Sequence, residues 1–137
     1  MQSVDDERAW LDKAAAQWDA GELYGFGLFR KADGVYLGNI GVHAIAWEHA
    51  RCEIGYWILG DFEGAGFMSE ALQLVERALF AHGFNRIEIR CDAVNARSAS
   101  VPRRNGYTLE GTLRQHLFEQ DRFRDTLVFS KLKSAAG

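Results

Sequence analysis

Two glycines, Gly64 and Gly66, stand where a strand-like apolar run gives way to a helical one, in the stretch EIGYWILGDFEGAGFMSEAL from Glu53 to Leu72. Glycine lets the backbone turn with positive φ and lets a ligand come close to the main chain. The first N–H groups of a helix lack internal partners and carry partial positive charge. The run Gly64, Ala65, Gly66, Phe67, Met68 and Ser69 therefore reads as a cradle for phosphate groups. A plainer reading stays open beside it, in which the glycines only shape a turn and Ser69 caps the helix. Two familiar phosphate loops are excluded. A P-loop needs Lys-Ser or Lys-Thr after its last glycine, and Gly66 is followed by Phe67 and Met68. A dinucleotide loop needs a third glycine where Ser69 stands, within repeated parallel βαβ units for which this chain has no room. ATP hydrolysis and hydride transfer fall away with them.

Other residues with chemistry to offer are fewer. Glu53 lies in a strand whose neighbours are largely apolar, and partial burial suits a carboxylate to accepting a proton. The same position suits a salt bridge, with Arg51 or Arg90 as partner. His43 and Glu48 are reserve bases. The histidines His43, His49, His82 and His116 share no metal-ligand spacing with Cys52 and Cys91, so no metal is expected. Both cysteines read as reduced core thiols, and Cys91, in an alternating strand without an activating neighbour, reads as buried rather than as an acyl carrier.

Elements must position these groups. Val4 to Ala20 has helical apolar spacing, with acidic residues in its first turn and Gly21 after it. Glu22 to Arg30 and Val35 to Trp47 form a hairpin about Asp33-Gly34, and Cys52 to Leu59 reads as a strand covered on both faces. Ala71, Leu72, Val75, Ala78, Leu79 and His82 line one face of a helix closed by Gly83. Arg86 to Cys91 alternates as a strand, Ser98 to Asn105 forms a short helix, and Tyr107 to Leu117 with Phe123 to Leu132 make a final hairpin. Hairpins flanking one strand-helix-strand unit imply an α/β fold with a mixed sheet and helices packed on it.

Composition sets the limits. The 137 residues, 47% hydrophobic, suit a single domain with one core. A formal net charge of −3 lacks the basic face that nonspecific nucleic-acid binding requires. The start MQSVDDER is polar and acidic, unlike a signal peptide, and no run approaches membrane-spanning length. A cytoplasmic protein with neither nucleic acid nor membrane as partner is expected.

From about Trp10 onward the sequence resembles the GNAT acetyltransferases, and more closely the branch that acetylates the N-terminal amine of ribosomal proteins. The family's cofactor loop reads Gln/Arg-x-x-Gly-x-Gly/Ala. Glu63, Gly66 and Met68 take its defined positions; only Gly66 matches strictly, and Glu63 puts an acid where the family has a base or amide. A second motif follows in the right order: Asn95-Ala-Arg-Ser98, then Val101-Pro-Arg-Arg-Asn-Gly106-Tyr107. Asn95 and Ser98 also suit helix capping.

The resemblance implies an acyl-CoA N-acyltransferase fold with a mostly antiparallel central sheet, and direct transfer of an acetyl group from acetyl-CoA to an amine. It implies a strand splayed from its neighbour whose backbone N–H, within Trp57, Ile58 and Leu59, polarises the thioester. It also implies contact of Asn95 with the pantetheine arm and a base at Glu53. The family's usual tyrosine acid is replaced by Pro102, so Ser98 becomes the candidate for protonating or hydrogen-bonding the CoA sulfur. Trp47, Tyr56, Trp57 and Phe118 line an acceptor channel or belong to the core. The family's first strand and helix have no counterpart before the first helix, which leaves a strand edge for a second copy and makes a homodimer the expected assembly. A noncatalytic acyl-CoA sensor and a structural subunit are the alternatives.

Overall fold

Alternating apolar residues become strands that turn one face to a shared core. The computed structural model describes residues 24–60, 64 and 66–136. Within it β1 (Tyr24–Phe29), β2 (Tyr36–Ala46), β3 (Arg51–Ile58), β4 (Arg86–Asp92), β5 (Thr108–Glu119) and β6 (Arg122–Leu132) form one sheet in the order β1-β2-β3-β4-β6-β5. Helix α1 (Phe67–Ala81) joins β3 to β4, and α2 (Ala96–Arg104) joins β4 to β5. Only β3 and β4 pair in parallel; the other neighbouring pairs are antiparallel, as the hairpin pattern implies. The expected helix over 4–20, together with Glu63 and Ala65, lies outside the described residues.

The core is built on one face of the sheet. Leu28, Leu37, Ile40, Val42, Ile54, Ile87, Ile89 and Phe129 are each at most 1% exposed. They cluster with Met68, Ala71, Leu72, Val75 and Leu79 of α1, which recur at helical spacing. Fully burying a leucine such as Leu72 or Leu79 contributes roughly 2 kcal/mol, whereas ordinary helix propensities differ by about 0.7 kcal/mol at most. Packing, rather than propensity, therefore fixes α1. Behind it, the buried Glu76 pairs with Nζ of Lys131 on β6 at 3.1 Å, and that ammonium also donates to the carbonyl of Asn105 at 3.0 Å. One lysine thus ties α1, the end of α2 and the sheet together.

Two expectations are corrected. β3 is covered on one face only: Cys52 and Ile54 are each 1% exposed, while Trp57 on the other face is 49% exposed. Helix α2 begins at Ala96 rather than Ser98, because the Asn95 side chain accepts the Ser98 N–H at 3.0 Å and caps the helix from that point.

Candidate active site

The site begins with a register. β3 and β4 pair only at Arg51 with Arg86, Cys52 with Ile87 and Glu53 with Glu88, although the strands run on to Ile58 and Asp92. Beyond Glu53 they part, and a fork opens in the sheet. Which backbone groups face the opening follows from the ladder with β2. Leu59 N–H donates to the Leu37 carbonyl at 2.8 Å. Bonded pairs alternate along an antiparallel ladder, so Trp57 and Gly55 also turn their polar groups to β2, and Tyr56 and Ile58 turn theirs to the fork. Of Trp57, Ile58 and Leu59, the residue whose N–H faces the opening is Ile58.

A cleft of about 420 Å³ lies at the fork, on the helix side of the sheet. One wall is β3 with Tyr56, Trp57 and Ile58; the next is Gly64, Gly66 and the first turn of α1, Phe67, Met68 and Ser69. The third is α2 with Asn95 and Ser98. The structure thus brings together ten of the residues singled out in the sequence. Leu59 does not line the cleft, Ala65 is outside the described residues, and Glu53 is on the opposite face.

Gly64 and Gly66 have φ of 81° and 84°, and a Cβ at either would meet nothing within 4 Å. The glycines are thus needed for the turn, and any larger side chain there would project into open space. Gly66 is the N-cap, and as a glycine it brings no side chain to cap the helix. The reading of Ser69 as the cap is corrected: it lies inside the first turn, where its Oγ accepts from Asn105 Nδ2 at 3.0 Å. A helix start set on two left-handed glycines brings its first turn, where main-chain N–H groups have no intrahelical partner, to the cleft.

At the fork Tyr56 donates its hydroxyl to the Ser98 carbonyl at 2.7 Å, which pins α2 to β3. Burial pushes the Tyr56 phenol well above its ordinary value, so it holds its proton. Cys91 is 5% exposed, and burial likewise raises its thiol against the opposing hydrogen bonds of Ser98 and Tyr56 and the charge of Arg103. Cys52, 1% exposed, is pushed up to about 12, chiefly by burial. Both cysteines are free.

Glu53 occupies the other face of β3, since its neighbours Cys52 and Ile54 point to the core. Its side chain is 19% exposed, and Oε1 stands 3.2 Å from Nε of Arg90. Of the two guanidinium partners open in the sequence, Arg90 is the one it meets. His43 is its register partner on β2. The His43 ring also lies over Gly55, where an added Cβ would meet Cε1 at 2.9 Å. Glu48 sits exposed on the 3-10 turn Trp47–His49, facing His49 at 3.8 Å. Trp47 packs on Phe84 and Phe118 on Phe123, and Tyr56 and Trp57 are among the residues that line the cleft.

Arg97, Ser100, Val101 and Arg104 complete the α2 wall and were not singled out in the sequence. Their spacing held the signal. Positions three, four and seven apart share one helix face, and that face follows directly from Asn95 and Ser98.

Residues 1–108 match the acetyltransferase (GNAT) domain family. The chain is 31% identical over 134 residues to the N-acetyltransferase YoaA of Bacillus subtilis strain 168, covering 97% of this chain and 76% of that protein. It is 29% identical over 133 residues to the ribosomal-protein-serine acetyltransferase of Escherichia coli K12, covering 96% and 73%. Among solved structures it is similar to RimL, a ribosomal L7/L12 alpha-N-protein acetyltransferase in complex with coenzyme A. That match has a TM-score of 0.79 at 26% identity, over 98% of this chain and 75% of RimL.

Proposed function

The chain belongs to the GNAT acetyltransferase family, and from that premise we propose that its acceptor is the α-amino group of a protein N-terminus, with Glu53 as general base. It is an N-acetyltransferase that uses acetyl-CoA, and the sensor and structural-subunit alternatives give way to that. The acceptor class is supported by the relatives named for ribosomal-protein serine and alpha-N-protein acetylation.

The residues of the cleft fit the donor. The start of α1 on the cleft wall and the open space before Gly64 and Gly66 suit its diphosphate, which main-chain N–H groups can bind without a lysine. Asn95 uses its Oδ1 to cap α2, which leaves its amide N–H groups for the pantetheine arm. Acetyl-CoA, when bound, supplies the acetyl group as an activated thioester. Ile58 N–H, facing the fork, is the donor for the carbonyl oxygen. Ser98 stands beside the departing sulfur as a hydrogen-bond donor. Glu53 takes the proton of the attacking amine on Oε2, while Arg90 holds Oε1 at 3.2 Å.

The observation that carries this reading is the fork itself. The glycine-fronted cleft lies on one face and a held carboxylate on the other, so donor and acceptor enter from opposite sides and meet where β3 and β4 part. A short peptide with a free N-terminal serine, incubated with acetyl-CoA, gains one acetyl group by mass spectrometry. The same peptide blocked at its N-terminus and carrying an internal lysine gains none. Acetylation of the lysine alone, or of neither peptide, contradicts the proposed acceptor.

We also propose a homodimer and a cytoplasmic location. The first is supported by the edge strand β5, all of whose twelve residues are exposed, Leu109, Leu113 and Leu117 among them. As to the second, no helix among the described residues is long and apolar enough to cross a membrane.

A further inference from the structure

Arg90 sits on β4 two residues past Glu88, the last position at which β4 pairs with β3. Its guanidinium therefore reaches back across the throat of the fork. Nε meets Oε1 of Glu53 at 3.2 Å, and Nη2 lies 3.5 Å from Oε1 of Glu88. Glu88 is only 13% exposed and its Oε2 accepts from Nε of Arg86 at 3.0 Å. Arg86 in turn pairs with Glu110 of β5, and Glu110 accepts from the Ser130 hydroxyl. Five charged side chains of alternating sign thus run over the sheet from the fork to its edge, and Arg90 is the link that touches Glu53.

The arrangement does more than neutralise charge. A glutamate on a strand has several rotamers, and a proton acceptor displaced by about 1 Å can lose on the order of 10²-fold in rate. Arg90 is anchored on Glu88, so it restrains Glu53 through one oxygen and leaves the other for the amine. The planar guanidinium can serve two carboxylates from fixed directions, which an ammonium does less well.

We propose that Arg90 is a positioning residue for acetyl transfer, holding Oε1 of Glu53 so that Oε2 is presented to the acceptor amine at the fork. This rests on the reading of Glu53 as the base. The register partners of Glu53 are His43 on β2 and Glu88 on β4.

The test is a double-mutant cycle on acetylation of the N-terminal serine peptide, with Arg90→Gln, Arg90→Lys, Glu53→Gln and the Arg90→Gln/Glu53→Gln pair. Arg90→Gln should lower kcat by roughly ten- to a hundredfold. Its KM for acetyl-CoA should stay at the wild-type value, because the donor cleft is on the other face of β3. Arg90→Lys should recover part of the loss, and it also serves should Arg90→Gln fail to fold, as judged by acetyl-CoA binding. The double variant should be no slower than Glu53→Gln alone, since Arg90 acts only through Glu53. Losses that multiply in the double variant, or a wild-type kcat in a folded Arg90 variant, overturn the positioning role and leave the base reading intact. Wild-type activity in Glu53→Gln overturns both. A wild-type enzyme that leaves the peptide unmodified overturns the acceptor reading and this inference with it.

Discussion

A base that relieves an amine of its proton is best held by one oxygen, and in the proposed mechanism Arg90 holds Glu53 in that way, by an ion pair at 3.2 Å. Replacing it tests that chemistry with little change in shape. Glu53→Gln should lower kcat for peptide acetylation by about 10²- to 10⁴-fold, the usual range for a positioned acid or base, while acetyl-CoA binds as before. Steady-state kinetics beside calorimetry will read both, and a loss under about fivefold would give the role to another group. The residue types at this scale were legible in the sequence, but their partners were not. Glu53 could have met Arg51 or Arg90, because strand register is set by packing and not by local spacing. Ile58 could not be told from Trp57 and Leu59 until the Leu59 to Leu37 bond fixed which N–H groups face β2.

Between elements, the end of β4 is tied to β6. Asp92 accepts from Arg124 Nη1 at 2.8 Å, and both side chains are 17% exposed. Hydrogen bonds from Arg124 and then from the Val94 N–H hold the Asp92 carboxyl below its ordinary value. A carboxylate depressed in the folded state stabilises above the unfolded value, about 3.9 for aspartate, and loses that contribution as pH falls through the lower folded value. Asp92→Asn should therefore lower Tm at pH 7 by roughly 3 °C, given about 1 kcal/mol for such a bond. The difference should close as the pH falls through the lowered folded value. Thermal melts at several pH values check this, and a difference that persists in acid would show that Asp92 acts through its shape. Elements were legible where period and caps agree, as in α1 and the Asp33-Gly34 hairpin. The start of α2 was displaced because an asparagine cap sets it, and capping is a geometry before it is a composition.

For the whole molecule, a mixed sheet with one parallel pair followed from the order of hairpins and the single strand-helix-strand unit. The fork did not, because it arises from pairing that stops at Glu53 and Glu88, and no residue type marks where two strands part. Sedimentation equilibrium will read the assembly. The proposed homodimer sediments at twice the chain mass, falling to one chain mass in Leu113→Lys on the β5 edge, and a wild-type monomer at all concentrations contradicts that assembly. The central claim is that the glycine-fronted cleft holds acetyl-CoA, and calorimetric titration with acetyl-CoA of the wild type, Gly66→Ala and Gly66→Trp tests it most directly. Alanine shares the strain of a positive φ, roughly 1 kcal/mol, but adds only a methyl to open space, whereas tryptophan fills the cleft. Binding by the wild type and the alanine variant, lost in a folded tryptophan variant, is the predicted result. A wild type that does not bind, or a tryptophan variant that binds as tightly, would contradict it.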